Sequence, residues 1–374
     1  SEMCIRDRDT EQKRFNEAND DYLDISLRVG RLSALLNPLT YVILNLAIAA
    51  IVWYGGVGVD TGRLTQGEVI AFVNYMTQIS LALVVVANLV VLFTKAAASS
   101  TRINEVLEIE PSIKNGTEKD GAGSENAVEF SHVYFSYNNS GEYALEDIDL
   151  TAKKGETIGV IGGTGSGKST LASLIPRFYD ISKGELKING TDAADYDTTA
   201  LRQKIGVVPQ KAVLFSGTIA ENMRWGKRDA TDEEIWKALE TAQAKEFVEK
   251  MPDGLDTHIV QGGKNLSGGQ KQRLTIARAL VSQPDILILD DSASALDFAT
   301  DAALRKAIAQ NTTGMTTFII SQRANSIMQA DKIIVLDDGR QAGLGTHREL
   351  LESCSVYREI CYSQLSKEEA NGNE

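Results

Sequence analysis

The stretch Gly162-Gly163-Thr164-Gly165-Ser166-Gly167-Lys168-Ser169-Thr170 constrains this chain more than any other. It follows the apolar run Thr157 to Ile161 and precedes the helical-looking run Leu171 to Tyr179, so a strand, a glycine-rich loop and a helix succeed one another. Glycines let a backbone close around phosphate oxygens, turning successive N–H groups and the positive end of the next helix toward an anion. At this spacing Lys168 reaches the β and γ phosphates of a nucleotide, and Ser169 places its hydroxyl on Mg²⁺. All nine residues are candidate nucleotide contacts. Glycines that merely ended a strand would not need a lysine and a small hydroxyl residue at these positions.

A formal net charge of −13 offers no basic stripe for a polymer, so a small nucleotide is expected and nucleic acid is not. At 374 residues and 43% hydrophobic content, two or more domains and a sizeable core are possible. Cys4, Cys354 and Cys361 lie far from any Cys-x-x-Cys spacing, which predicts buried or idle thiols and no metal site built on them. His132, His258 and His347 stand alone in sequence, without ligand or triad spacing, and are expected as surface or core residues.

The first dozen residues are polar and aperiodic, reading as disordered or as a foreign junction, and with no signal-peptide pattern the chain is expected to begin inside a longer whole. From Phe15 to Leu36, Tyr22, Ile25, Val29 and Leu32 recur at helical spacing among charges, as in a soluble helix leading to a membrane. Two uncharged runs follow, Leu32 to Val59 and Val69 to Thr94, with spans expected at about 35–55 and 69–94. At about 1.5 Å per residue each can cross a hydrocarbon core of roughly 30 Å. Lys13, Arg14, Arg28 and Arg31 precede the pair and Lys95 and Arg102 follow it, which predicts a hairpin in the cell membrane with both outer ends cytoplasmic. Trp53-Tyr54 suits an interfacial anchor, and Asn37-Pro38 is expected to open the first span. Asn45, Asn74, Gln78 and Asn88 would face other helices or a solute path rather than lipid.

Residues 1–109 are thus read as membrane domain, and 110–126, rich in Gly, Ser and charge, as a linker. The domain at 127–366 opens with near-alternating Val128, Phe130, Val133 and Phe135, ending in the turn Asn138 to Gly141. Apolar strands at Ile205 to Val208, Ile286 to Leu289, Thr316 to Ile320 and Lys332 to Leu336 predict a mostly parallel sheet covered on both faces. Thr231-Asp232-Glu233-Glu234 starts a capped helix in a small helical subdomain, and 367–374 is a polar tail.

Two stretches complete the chemistry. Ile286-Leu287-Ile288-Leu289-Asp290 ends a buried strand in a carboxylate suited to holding Mg²⁺ through its waters. Leu266-Ser267-Gly268-Gly269-Gln270 precedes an amphipathic helix, expected over Lys271 to Val281, and offers N–H groups and a hydroxyl to a second anion. A chain with one nucleotide has no use for two such sites, so the second is expected to serve a nucleotide held by a partner chain.

With GGTGSGKST, VVPQ, LSGGQ, LILDD, SALD and ISQR in order, the chain resembles the ATP-binding cassette family over about Phe15 to Gln364, specifically an exporter half-transporter. The resemblance implies a pair of transmembrane helices followed by an α/β P-loop NTPase cassette with a helical subdomain, and ATP with Mg²⁺ as ligands. It implies that Tyr137 stacks on adenine, that Gln210 joins the Mg²⁺ shell and couples to the membrane domain, and that Asp297 closes a loop reaching across the dimer. It also implies more membrane helices than the two here, which would be the last two of a longer set. Two positions depart from the family. Asp291 stands where the family has a Glu base, shortening its reach by about 1.5 Å toward a water that must come within roughly 3 Å. Gln322 stands where the family has a His, and an amide cannot carry imidazole's charge. Together they resemble the degenerate site of a heterodimeric exporter subunit whose LSGGQ completes the partner's site. A membrane-bound regulatory cassette, a homodimer using Asp291 as base, and a soluble cassette acting on nucleic acid or ribosomes are the competing readings; the two spans and acidic balance count against the last.

Overall fold

In the computed structural model the described residues are 8–137, 141–292, 295–312 and 314–365; Asn138 to Ser140, Ser294 of the SALD stretch, and the polar tail lie outside them. The chain divides into two units, Ser1–Glu110 and Pro111–Glu374.

The first unit is a hairpin of two long helices, α1 (Arg8–Asp60) and α2 (Gln66–Leu107). Both are long and apolar enough to cross a membrane, over Pro38–Asp60 and Gln66–Leu107, with mean hydropathies of 2.0 and 2.2. Their large apolar side chains face outward, Trp53 at 74% exposure, as they would toward lipid. Thr65 caps α2 in a reciprocal box with Glu68, which satisfies two N–H groups and stops the turn cleanly. Near the turn a side chain at Gly55 would come within 2.8 Å of Val69 Cγ1, so the glycine lets the helices close. One expectation is corrected here: residues 8–12 are helical rather than an unstructured junction, because the charged helix and the apolar span are one continuous helix. Pro38 lies inside that helix at the start of its apolar span.

The second unit is built on a ten-stranded sheet. Its strands are β1 (Asn126–Phe135), β2 (Leu145–Lys153), β3 (Thr157–Gly162), β4 (Lys183–Ile188), β5 (Thr191–Asp192), β6 (Ile205–Val208), β9 (Ile286–Asp290), β10 (Thr316–Ile320), β11 (Lys332–Asp337) and β12 (Arg340–Gly345), in the order β5-β4-β1-β2-β12-β11-β3-β10-β9-β6. A separate two-stranded ribbon pairs β7 (Gly217–Thr218) with β8 (His258–Ile259). Strands β11, β3, β10, β9 and β6 run parallel and alternate between two cores. Ile161, Leu287, Leu289 and Val335 join one core, and Ile158, Ile288, Phe318 and Ile334 the other. In the other half β1 lies antiparallel between β2 and β4, β5 antiparallel to β4 and β12 antiparallel to β11, while β12 and β2 pair in parallel, so the expected mostly parallel sheet is mixed. The step from Phe130 to Val133 in the apolar pattern is a β-bulge, with His132 in the left-handed region at φ 47°.

Residues 111–120 are not a slack connection. Gly116 N–H donates to Tyr196 O, Thr117 N–H to Asp195 O, and Asn115 both donates to Asp197 and accepts from Thr198 N–H. The helices are α3 (Lys168–Leu174), α4 (Thr198–Gln203), α5 (Ile219–Arg224), α6 (Asp232–Thr241), α7 (Lys245–Glu249), α8 (Gly268–Leu280), α9 (Phe298–Asn311), α10 (His347–Ser353) and α11 (Ser355–Gln364). Helix α6 begins at Thr231 with Glu234 closing its capping box, burying Ile235 and Leu239, as the spacing predicts. Cys354 and Cys361 are buried free thiols.

A candidate nucleotide-binding cleft

The loop between β3 and α3 wraps tightly because at two of its glycines a side chain has no room. At Gly162 a Cβ would lie 2.1 Å from Leu336 O, and Gly167 caps α3 at φ 95° with Leu145 Cδ2 only 2.7 Å from where its Cβ would be. Lys168 is buried to 8% exposure and turns its ammonium inward, donating to Gly163 O at 2.6 Å and Gly162 O at 3.0 Å, with Ser166 Oγ at 3.4 Å. Burial holds its pKa below the usual lysine value, while Asp290 and Asp291 pull the other way.

This loop floors a cleft of about 420 Å³ lined by Thr164, Gly165, Gly167, Lys168, Ser169 and Thr170, by Asp290 and Asp291 at the end of β9, and by Gln210, Gln322 and Tyr137. Ser169 Oγ donates to Asp290 Oδ1 at 3.1 Å. Burial raises the Asp290 pKa, opposed by that hydrogen bond. Asp291 sits in the left-handed region at φ 46°, its N–H donating to Ile320 O at 2.8 Å and its Oδ2 accepting from Gln210 Nε2 at 3.1 Å. The backbone carbonyl of Gln322 accepts from Gln364 Nε2 at 2.7 Å, and Gln364 Oε1 accepts from Ala324 N–H at 2.9 Å, so the end of α11 pins that wall. Tyr137 is 51% exposed, and its hydroxyl lies 2.9 Å from Thr170 Oγ1.

The residues present fit a nucleotide with Mg²⁺. The close backbone cradle suits phosphate, and the hydroxyl, carboxylate and amide oxygens of Ser169, Asp290 and Gln210 are the hard donors Mg²⁺ takes.

Two expected groups stand outside the cleft. Ser267-Gly268-Gly269-Gln270 starts α8 from within rather than preceding it: the Ser267 hydroxyl accepts from Gln270 N–H at 3.3 Å while Gln270 Oε1 accepts from Ser267 N–H at 2.9 Å. Asp297 caps α9, accepting from Thr300 N–H at 2.9 Å, a bond that lowers its pKa. Tyr143, Ser321 and Asp338-Gly339 also line the cleft; Ser321 belongs to the ISQR stretch and Asp338-Gly339 reads as a turn, whereas Tyr143 carries no signal.

The expectation that His132 stands alone is corrected. The bulge carries it across to β2, where its Nδ1 lies 2.8 Å from Asp147 Oδ1 and 3.2 Å from Asp149 Oδ2, and the Asp147 contact raises its pKa.

Known proteins match both units. Residues 145–294 match the ABC transporter family and residues 6–83 the ABC transporter transmembrane region. An uncharacterized ABC transporter ATP-binding protein of Bacillus subtilis, YfiB, is 44% identical over 359 residues, covering 96% of this chain and 62% of that protein. A fatty acid ABC transporter ATP-binding/permease protein of Mycobacterium bovis is 37% identical over 349 residues, covering 93% and 55%. The solved structure of a bacterial Atm1-family ABC exporter with ATP bound superposes with a TM-score of 0.87 at 30% identity, over 97% of this chain and 64% of that one. The chain therefore spans about three fifths of the length of such relatives. The cleft and these matches agree: the chain belongs to the ABC transporter family, carrying its ATP-binding cassette and transmembrane region on an Atm1-type exporter fold.

Proposed function

We propose that the chain acts as half of an ATP-driven exporter, its cassette closing on MgATP against a second cassette to move a small molecule, peptide or lipid outward. The observation that carries this reading is the gathering of the phosphate loop, Asp290, Asp291, Gln210 and Gln322 around one cleft while Ser267 to Gln270 stand outside it. Adenine stacks on Tyr137, the loop N–H groups and Lys168 hold the phosphates, and Lys168 leaves its loop carbonyls to do so. Ser169, Asp290 and Gln210 would hold Mg²⁺, which would supply charge neutralisation at the phosphates.

Asp291 is positioned to accept the proton of an attacking water, but its short side chain already accepts from Gln210, and Gln322 can donate a hydrogen bond without a charge. This site therefore binds well and turns over slowly. Gly268 and Gly269 complete a faster site on a different half-transporter, making the working assembly a heterodimer; Asp297 joins that contact. A homodimer with Asp291 as base is the second reading, favoured by the place of Asp291 in the lining of the cleft beside Asp290 and Ser169. Measuring ATP hydrolysis of the chain alone and with a candidate partner tests the proposal: turnover that appears only in the mixed pair supports it, and equal turnover by the chain alone favours the homodimer.

The apolar hairpin is read as membrane-spanning with its turn outside and the cassette cytoplasmic, from its flanking basic residues. A Thr61→Cys variant is expected to label with a membrane-impermeant thiol reagent from outside. Labelling of Ser99→Cys instead would reverse the topology.

A further inference from the structure

We infer that Tyr179 is a positioning residue for nucleotide binding, acting through Tyr137; the inference rests on the reading that Tyr137 carries the base. Tyr137 is tied at three points. Phe135 meets its ring at 4.7 Å and 81°, Tyr179 at 5.1 Å and 85°, and its hydroxyl is 2.9 Å from Thr170 Oγ1 at the end of the phosphate loop. Phe135 and Tyr179 also touch each other, with centroids 5.6 Å apart, so the three rings form a closed triangle. Near-perpendicular ring pairs are the favoured aromatic geometry, and here they fix the plane of a ring that would otherwise turn about two torsions.

Tyr179 is itself held. It follows Arg177, a buried residue in the left-handed region at φ 51° whose guanidinium donates to Asp180 Oδ1 at 2.6 Å, to Ala194 O at 2.9 Å and to Lys114 O at 2.9 Å. That guanidinium locks the turn after α3, so Tyr179 stands on a rigid base. Tyr137 lines the cleft and Tyr179 does not, so the direct route from Tyr179 to the nucleotide runs through Tyr137. A base stacks best on a face whose plane is set beforehand, because binding then spends no free energy on ordering it.

The test compares ATP with inorganic tripolyphosphate, which offers the loop the same phosphates and no base, by calorimetry on the solubilised full chain. Tyr179→Ala is expected to weaken ATP binding about three- to tenfold, the size of one aromatic pair, and to leave tripolyphosphate binding unchanged. Tyr179→Phe keeps the ring and restores ATP affinity. In a Tyr137→Ala background, Tyr179→Ala is expected to add nothing, because its only route is gone. Equal losses for ATP and tripolyphosphate, or a loss that persists in the Tyr137→Ala background, would overturn the inference, as would wild-type affinity in Tyr179→Ala. Unchanged ATP affinity in Tyr137→Ala alone would instead remove the base-stacking reading on which it stands.

Discussion

Two helices of the cassette begin at glycine-rich stretches suited to anions, and they begin differently. Helix α3 starts from Gly167, left-handed and with no side-chain cap among the described residues, and its first turn lines the cleft. Helix α8 starts from Ser267, whose hydroxyl and backbone are both engaged by Gln270, leaving Gly268 and Gly269 as the N–H groups without intrahelical acceptors. The open start sits among the residues of a whole nucleotide site. At the closed one the cap residue and Gln270 satisfy each other, and Gly268 has open space beside it. The difference teaches that an anion-binding stretch is defined by what surrounds it as much as by its glycines.

Removing the cation tests the open start most severely. Lys168→Ala is expected to cost about 1.5 to 3 kcal/mol of ATP binding, roughly ten- to a hundredfold in Kd by calorimetry. Unchanged affinity would mean that the loop is not the phosphate site. Ser267→Ala breaks the closed cap instead, and is expected to lower cassette stability by about 1 kcal/mol in thermal or urea melts while leaving ATP affinity alone. A matching fall in affinity would erase the distinction between the two starts. Tyr137→Phe is the milder probe: the ring still offers its face, so ATP affinity should be nearly unchanged, and a clear loss would mean that the hydroxyl contact with Thr170 sets the ring.

The smallest effect lies away from both stretches, at His132. Its folded pKa is raised by Asp147, so its contribution to stability is full below the ordinary imidazole pKa and is lost as pH rises through the raised value. Melting curves across about pH 5 to 8 should show this decline in the wild type and not in His132→Gln. An unchanged slope in the variant would assign the pH dependence to other groups.

Local patterns carried much of this molecule. The phosphate loop, the strand-end Asp290-Asp291 and the capped helix start at Thr231 are legible because each is decided within a few residues by backbone sterics and cap hydrogen bonds. What stayed hidden depends on distant partners. His132 meets Asp147 and Asp149 only through the β1–β2 register and its bulge, and Gln364 reaches Gln322 from 42 residues downstream. Arg177 ties residue 114 to the turn beneath Tyr179. The antiparallel strands are faint in the sequence because β4 and β5 mix charged and apolar residues, with no clean period to announce them. The continuous α1 was missed because composition changes at residue 32 while helical hydrogen bonding does not.

The central claim is that this chain's own cleft is the slow site while its Ser267 stretch serves the fast one. Steady-state ATP hydrolysis of the full-length pair carrying either Gly268→Asp or Asp291→Asn tests it most directly. Gly268→Asp sets a carboxylate against the partner's γ phosphate and is expected to abolish most turnover, whereas Asp291→Asn should change it little. If Asp291→Asn proves as damaging as Gly268→Asp, this chain's own cleft is the working site and the account of an asymmetric pair is wrong.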